Sequence, residues 1–252
     1  MGWNDRDERI AVFEDTKNMC NQNARLRNSI QRAIEAQRLI REEDDIEGAF
    51  EGAFDGGVFD KNEKIDKGLN AAASEDKEFA SAYDSDASIV VSKKRTFEAA
   101  SAYARNQKVC VLNFASATNP GGGVKKGSSA QEECLCRCST LYPCISDYAV
   151  RHGFHDRHKT MLSAGKLNAL YNDDCIYTPE VTVFKPDTST PRTMPEQEWY
   201  KVDVITCAAP NLRARPSNSM NPASGSEAIK ISNADLMALQ EKRPDPHHAL
   251  EE

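Results

Sequence analysis

The sequence lacks long apolar runs, and no stretch approaches the roughly 18 to 20 apolar residues of a membrane-spanning helix. Its first segment, MGWNDRDERIAVFEDTKN, also lacks the apolar centre of a secretory signal. We therefore predict an intracellular protein, cytoplasmic or nuclear, that has no membrane partner. In such reducing compartments, the eight cysteines are expected to be thiols rather than disulfides.

An excess of positive charge is also missing. Lys and Arg number 32 against 39 Asp and Glu, which gives a formal net charge of −7. A surface that grips a nucleic-acid backbone by charge usually needs a basic face, so direct nucleic-acid binding is not expected. A small anionic ligand held by a local site remains compatible with this composition. The 39% apolar and 28% charged residues fit a globular protein with a sizeable core.

The N-terminal third of the chain differs in composition from the rest. About the first 40 residues read as helix, because Ile30 and Ile34 lie four apart with Leu39 and Ile40 following, flanked by Arg and Glu. An acidic, glycine-rich segment follows, in which the tetrapeptide EGAF occurs twice, and it indicates a linker rather than a structural repeat. We predict an N-terminal helical extension and linker in residues 1–86 and a globular domain in residues 87–252.

From about Ala87 onward, strand patterns alternate with a helix pattern. ASIVVSKK and KVCVLNFAS have short apolar cores, and TFEAASAYARNQ between them reads as a helix with Thr96 as N-cap. This crossover is long enough for parallel pairing, and the run 109–112, apolar on both faces, is typical of a sheet covered on both sides. EVTVFK and KVDVITCAAP supply two more strands. The predicted fold class is therefore α/β.

The segment NPGGGVKKGSSAQEE, residues 119–133, follows the predicted strand that ends near Phe114. Ligands collect at the carboxyl ends of strands in open α/β sheets. Consecutive glycines adopt backbone angles closed to other residues, and their amides can form an anion nest. The same segment also has a plain structural interpretation, because residues 129–132 match a capping box and Glu133 lies where a helix dipole favours negative charge. Spacing alone does not separate the two interpretations.

The order NFASATNPGGGVKKGSSAQEECLCRCSTLYP resembles microbial-type poly(ADP-ribose) glycohydrolases, whose signature is three glycines, a short spacer and Gln-Glu-Glu. Here seven residues separate Gly123 from Gln131. The resemblance covers residues 109–145, with weaker similarity in the N-terminal helix and in VDVITCAAPNLR. It implies a macrodomain-like, three-layer α/β/α fold, in which a mixed sheet lies between helices and which binds ADP-ribose.

The resemblance also implies roles for individual residues. Glu133 would be the catalytic acid, and Glu132 would orient a ribose through its hydroxyls. The remaining ligand contacts would come from Asn113, Asn119, Gly121, Gly122, Gly123 and Gln131, with the glycines around the diphosphate. The reaction would be hydrolysis of the ribose–ribose O-glycosidic bond of poly(ADP-ribose), in which a carboxyl group protonates the departing oxygen. The partner would be poly(ADP-ribose) or an ADP-ribosylated protein, and no metal or redox cofactor is implied.

The clustered cysteines and histidines are residue types that bind metals, but their spacing disfavours a metal site. Cys134, Cys136 and Cys138 lie two apart, and side chains two apart on a helix point in different directions and cannot easily share one ion. We predict buried thiols there instead. The basic stretch RHGFHDRHK, residues 151–159, is interpreted as a solvated face or loop, and contact with the anionic polymer is the alternative.

The C-terminal part is shorter than the resemblance implies. SGSEAIKISNADLMALQEKR, residues 224–243, supplies a helix, but the expected apolar strand and second glycine-rich loop do not follow it. Pro244 and Pro246 disfavour continuation of the helix. We therefore predict a domain that lacks the C-terminal strand and helix of the family and leaves an apolar sheet edge exposed. Two alternatives to the hydrolase stay open, a non-catalytic ADP-ribose-binding module and an inactive, truncated family member.

Overall fold

The computed structural model describes residues 5–42, 87–168 and 171–210. Within it, residues 5–42, 95–168 and 171–210 belong to one compact unit, and residues 87–94 belong to a second. The predicted division of the chain at residue 86 stays a prediction. No helix of the described residues is long and apolar enough to cross a membrane.

The described elements alternate between helices and the strands of one sheet. The strands are β1 (Arg38–Ile40), β2 (Cys110–Ala115), β3 (Cys175–Val183) and β4 (Tyr200–Ala208). The α-helices are α1 (Asp5–Gln22), α2 (Ala24–Ala36), α3 (Thr96–Ala100), α4 (Gln131–Cys138), α5 (Leu141–Ile145), α6 (Tyr148–Val150) and α7 (Arg157–Ser163). Val124–Lys126 and Glu196–Glu198 are 3-10 turns, and Arg151–Asp156 is a π-helical segment between α6 and α7.

The sheet is mixed, with the strand order β1-β3-β4-β2. β2 and β4 are parallel, with Ala115 opposite Ala208, whereas β3 is antiparallel to both β4 and β1. The predicted α/β class and mixed sheet are confirmed. The predicted pairing of ASIVVSKK with KVCVLNFAS is wrong, because residues 87–94 form no strand and the parallel partner of β2 is β4. The carboxyl ends of β2 and β4 therefore meet at one edge of the sheet.

One face of the sheet is packed against helices. Alternate residues of β2 are buried, whereas Leu112 and Phe114 between them are 43% and 58% exposed. Of the buried residues, Val111 joins Phe13 of α1, Leu135 of α4 and Leu141 of α5 in the main core. The structure matches the predicted macrodomain-like fold, and cover of the face that carries Leu112 and Phe114 stays a prediction. The helix predicted for residues 224–243, and the predicted absence of a strand after it, lie outside the described residues.

The N-terminal segment is not one continuous helix. Asn23 adopts an extended conformation between α1 and α2, and its side chain accepts a hydrogen bond from the backbone amide of Leu26, which caps α2. Gln37 is also extended, and β1 follows it as an edge strand on β3. The helix predicted through Leu39 and Ile40 is therefore wrong at its end, because pairing with a distant strand decides the conformation there.

A buried lysine ties α1 to the rest of the unit. Lys185 is 1% exposed, and its ammonium group donates to the side chains of Asp15 and Thr16 at 2.6 and 2.8 Å. The hydroxyl of Thr16 in turn donates to the backbone carbonyl of Arg137 in α4 at 2.6 Å. Because a buried charge is tolerated only with such partners, these contacts fix α1 beside α4.

Candidate active site

The glycine-rich loop connects the carboxyl end of β2 to the start of α4. Gly121 and Gly122 have φ values of +69° and +55°, which L side chains rarely adopt. The backbone amide of Gly122 donates to the carbonyl of Asn119 at 2.9 Å, so the chain turns sharply at this point. A 3-10 turn follows and ends at Gly127, again at positive φ. The loop thus folds back over the first turn of α4.

Glu132 lies under this loop and is held through both carboxylate oxygens. Its Oε1 accepts from the backbone amide of Gly121 at 3.0 Å, and its Oε2 accepts from that of Ser116 at 2.8 Å. The side chain is 3% exposed. The predicted capping box is therefore wrong: α4 begins after Ala130 without a side-chain cap, because the Glu132 carboxylate binds the loop instead.

Glu133 is held through only one of its oxygens. Its Oε1 accepts from the backbone amide of Gly123 at 2.8 Å. Its Oε2 is buried and has no hydrogen-bond partner among the described residues. Most buried polar atoms in folded proteins do have a partner, so an isolated carboxylate oxygen is typical of a functional position. Oε2 is thus the oxygen of Glu133 that no described residue binds.

Gly122 is the position at which the loop comes closest to the two carboxylates. A Cβ atom at Gly122 would lie 2.6 Å from Oε1 of Glu133 and 2.9 Å from Oε2 of Glu132. Such distances are too short for any side chain, and the positive φ adds backbone strain. The glycine is thus required where the loop covers both carboxylates.

The amides of the three glycines are already used within the protein. Gly121 donates to Glu132, Gly122 to Asn119 and Gly123 to Glu133. A contact between these glycines and a diphosphate stays a prediction, and in this geometry the loop supports the carboxylates.

The predicted asparagines and glutamine lie around the same carboxylates. Asn113, on β2, is fully buried, and its Nδ2 donates to the hydroxyl of Thr206 on β4 at 3.2 Å, whereas its Oδ1 has no partner among the described residues. Asn119 is exposed at the start of the loop. Gln131 binds the outer edge of β2: it donates to the carbonyl of Leu112 at 2.7 Å and accepts from the amide of Phe114 at 2.8 Å. A ligand contact of Gln131 stays a prediction.

Several supporting residues were missed by sequence reasoning. Arg137 is buried in α4 and donates to the carbonyl of Ser128 at 2.7 Å. Arg6 and Arg9 of α1 donate through Nε to the carbonyls of Lys126 and Gly127, each at 2.6 Å. These three arginines hold the far end of the loop. Each of them lies among other charged residues in its helix, so the sequence gives no signal that distinguishes it from a solvent-exposed arginine.

The environment of Glu132 favours its protonated form. The pKa of Glu132 is raised from 4.5 to about 8, mainly by burial and in part by the charge of Glu133, whereas hydrogen bonds from the amides of Ser116 and Gly121 oppose the shift. Removing a carboxylate from water penalises its charged form, which is the largest effect here. The site therefore combines two adjacent buried carboxyl groups that are not equivalent.

This shift predicts a pH-dependent stability. Between pH 4.5 and 8, the folded protein retains a proton on Glu132 that the unfolded chain releases, so the free energy of unfolding should fall as pH rises. The fall should be on the order of a few kcal/mol. Denaturant unfolding across this pH range should show the fall in the wild type. Glu132→Gln should not show it, because its loss of stability does not change with pH.

A buried histidine, His155, has the opposite effect on the pH dependence of stability. It is present in both the wild type and Glu132→Gln. Burial lowers the pKa of His155 to about 4 from 6.5, so its contribution grows as pH rises between these values. The difference between wild type and Glu132→Gln removes this contribution. Identical pH slopes for the two proteins would show that Glu132 is ionised in the fold.

Only part of the basic stretch 151–159 is a solvated face, since Arg151 and His152 are exposed. His155 and His158 are fully buried, and their Nδ1 atoms face the carbonyls of Ala117 and Phe154. Arg157 forms an ion pair with the buried Asp174 at 2.7 Å. The solvated interpretation is therefore wrong for these three residues, of which His155 lies in the π-helical segment and Arg157 and His158 lie in α7. All eight cysteines are thiols, and no group of three or more metal-ligating side chains occurs among the described residues.

The chain is similar to proteins of one known family. The chain matches the family model of the microbial-type PARG, catalytic domain, over residues 7–186. The crystal structure of poly(ADP-ribose) glycohydrolase (PARG) from Thermomonospora curvata is 28% identical, with a TM-score of 0.60 over 82% of this chain and 66% of that chain. The structure of the T. curvata glycohydrolase bound to the inhibitor ADP-HPD is 26% identical, with a TM-score of 0.57 over 83% and 65% of the two chains.

The chain thus spans slightly less than two thirds of the length of these structures. The comparison with curated proteins found no match. The family model covers well over half of the chain, including the glycine-rich loop and both glutamates. The chain therefore belongs to the family of microbial-type PARG catalytic domains.

Proposed function

We propose that the chain hydrolyses the ribose–ribose O-glycosidic bonds of poly(ADP-ribose), with Glu133 as the general acid. The observation that carries this proposal is the unequal state of the two Glu133 oxygens. Oε1 is fixed by the amide of Gly123, and Oε2 is buried without a partner among the described residues. A carboxyl group held in this way can present its proton in one direction only, which is what protonation of a departing oxygen requires.

Cleavage begins with transfer of the proton from Oε2 of Glu133 to the departing ribose oxygen. Positive charge then develops on the anomeric carbon, and the adjacent carboxyl groups and the diphosphate of the substrate offset it. The resulting Glu133 carboxylate accepts a proton from the attacking water, which restores the acid. No other group is needed for these proton transfers.

Glu132 orients the ribose in this proposal. Each of its oxygens accepts one backbone hydrogen bond, and the carboxyl group, protonated or ionised, keeps a further lone pair that a ribose hydroxyl can use. The unpartnered Oδ1 of Asn113 is a second acceptor for a hydroxyl. Asn119 contributes from the exposed start of the loop. A diphosphate would meet the Cα surface of Gly121, Gly122 and Gly123, since their amides are already used.

Two measurements on one preparation test the proposal. Calorimetric titration with ADP-ribose should show saturable binding, and incubation with poly(ADP-ribose) should release ADP-ribose. Binding without release would replace the hydrolase with a non-catalytic ADP-ribose-binding module. A silent titration together with an intact polymer would remove both functions.

A further inference from the structure

Two cysteines face each other across neighbouring strands, outside the candidate active site. Cys175 at the start of β3 is directly opposite Cys207 near the end of β4 in the antiparallel register. Directly opposite residues in such a pair have Cα atoms about 4.5 or 5.5 Å apart and project from the same face. A disulfide requires Cα atoms about 4.4 to 6.8 Å apart. Either spacing therefore allows the two sulfur atoms to bond without rearrangement of the sheet.

These two thiols also differ chemically from the four buried cysteines. Both are partly exposed, whereas Cys20, Cys136, Cys138 and Cys144 are buried, and burial raises the pKa of each of those four. A hydrogen bond from the Cys207 thiol lowers the pKa of Cys175, although burial and the charges of Asp174 and Asp173 act against it. The same hydrogen bond, together with burial, raises the pKa of Cys207. Cys175 is thus the better nucleophile of the pair.

We propose that Cys175 and Cys207 form a redox-active dithiol that a small-molecule disulfide, such as oxidised glutathione, converts into a cross-strand disulfide. The thiolate of Cys175 attacks one sulfur of the small disulfide, forms a mixed disulfide and releases one thiolate. The sulfur of Cys207, after losing its proton to solvent, attacks the Cys175 sulfur and releases the second thiolate. The protein loses two hydrogen atoms, and the small disulfide is reduced to two thiols.

The cross-link would lie beside the candidate active site. Cys207 follows Thr206, whose hydroxyl accepts from Asn113. The bond would join β3 to β4 at the edge where β2 also ends. This inference does not depend on the proposed glycohydrolase activity.

Peptide mapping of the full chain tests the inference. The native protein is incubated with oxidised glutathione, its remaining thiols are alkylated in denaturant, and the modified peptides are identified by mass spectrometry. The peptides of Cys175 and Cys207 should be joined, with neither residue alkylated. Cys110 is an internal control, because it is exposed and lies opposite Asp203, four residues from Cys207 along β4. Cys110 should retain a glutathione adduct.

Two serine variants separate the roles of the thiols. Cys207→Ser should leave a stable glutathione adduct on Cys175, whereas Cys175→Ser should leave Cys207 as a free thiol. The inference is overturned if wild-type Cys175 and Cys207 remain free, or stay as separate adducts, when Cys110 is fully modified. A cross-link from either cysteine to Cys110 would overturn it as well.

Discussion

Replacing Glu133 with glutamine is expected to lower the cleavage of poly(ADP-ribose) by about 100-fold or more, because the variant has no proton to donate. Glutamine fits the observed geometry. Its carbonyl oxygen can accept from the amide of Gly123, and its NH₂ group replaces an oxygen that has no partner among the described residues. Affinity for ADP-ribose and thermal stability should therefore change little. Turnover of the polymer, calorimetric titration and thermal unfolding together measure the three quantities.

Two further variants make this experiment specific. Glu14→Gln is the chemical control, because Glu14 is an exposed glutamate paired with Lys17, and its turnover should equal that of the wild type. Glu132→Gln should be destabilised by about 1 to 3 kcal/mol, because its NH₂ group would face a backbone donor. If Glu133→Gln turns over polymer at the wild-type rate, the acid is another residue and the proposed role is wrong.

Replacing Gly122 with alanine should have the second-largest effect. The new methyl group would collide with the carboxylates of Glu133 and Glu132, at 2.6 and 2.9 Å, and both side chains would have to move. A displacement of about 1 Å in a catalytic group can cost 100-fold in rate, and a loss of this order is expected in polymer cleavage. The free energy of unfolding should also fall, by more than the roughly 1 to 2 kcal/mol typical of a positive φ alone.

Gly165→Ala is the control that separates the collision with the carboxylates from the strain of a positive φ. Gly165 has a φ of +66°, similar to the +55° of Gly122, but its Cβ would meet no atom within 4 Å among the described residues. The control variant should show the positive-φ penalty and wild-type cleavage. Equal cleavage rates for the two variants would show that the loop does not position the carboxylates.

Strands and the chemistry-bearing segment could be predicted from the sequence because their signals are local. The apolar cores of KVCVLNFAS, EVTVFK and KVDVITCAAP appear in β2, β3 and β4, and QEECLCRC forms α4. A run of β-branched residues bounded by polar residues predicts a strand from a few neighbouring residues alone. The position of the glycine loop between β2 and α4 follows from the same patterns, and so does its location at the carboxyl end of a strand.

Other features depend on contacts that no local pattern encodes. Leu39 and Ile40 continue a helical pattern, yet they pair with β3 about 135 residues later in the sequence. The capping-box pattern at residues 129–132 satisfies a local rule, but Glu132 gains two backbone hydrogen bonds under the loop and breaks that rule. His155 is buried within a π-helical segment, for which the sequence offers no periodicity.

In the candidate site as well, the sequence predicts which residues are present but not the contacts that they make. Identities of Glu132 and Glu133 came from a short motif and its resemblance to a family. Their hydrogen bonds did not, since the motif does not show that the amides of Gly121 and Gly123 bind these carboxylates. A motif therefore indicates which residues gather at a site, and the backbone geometry decides which of their atoms remain available.

The arginine contacts of α1 have a consequence for how the site assembles during folding. Arg6 and Arg9 bind carbonyls that are 120 and 118 residues away in the chain. Closing such long loops costs conformational entropy, and contacts of high sequence separation slow folding. The glycine loop therefore depends for its anchoring on a helix synthesised long before it. Its geometry is a property of the completed tertiary structure, and the isolated motif carries the reactive groups without the arrangement that makes them useful.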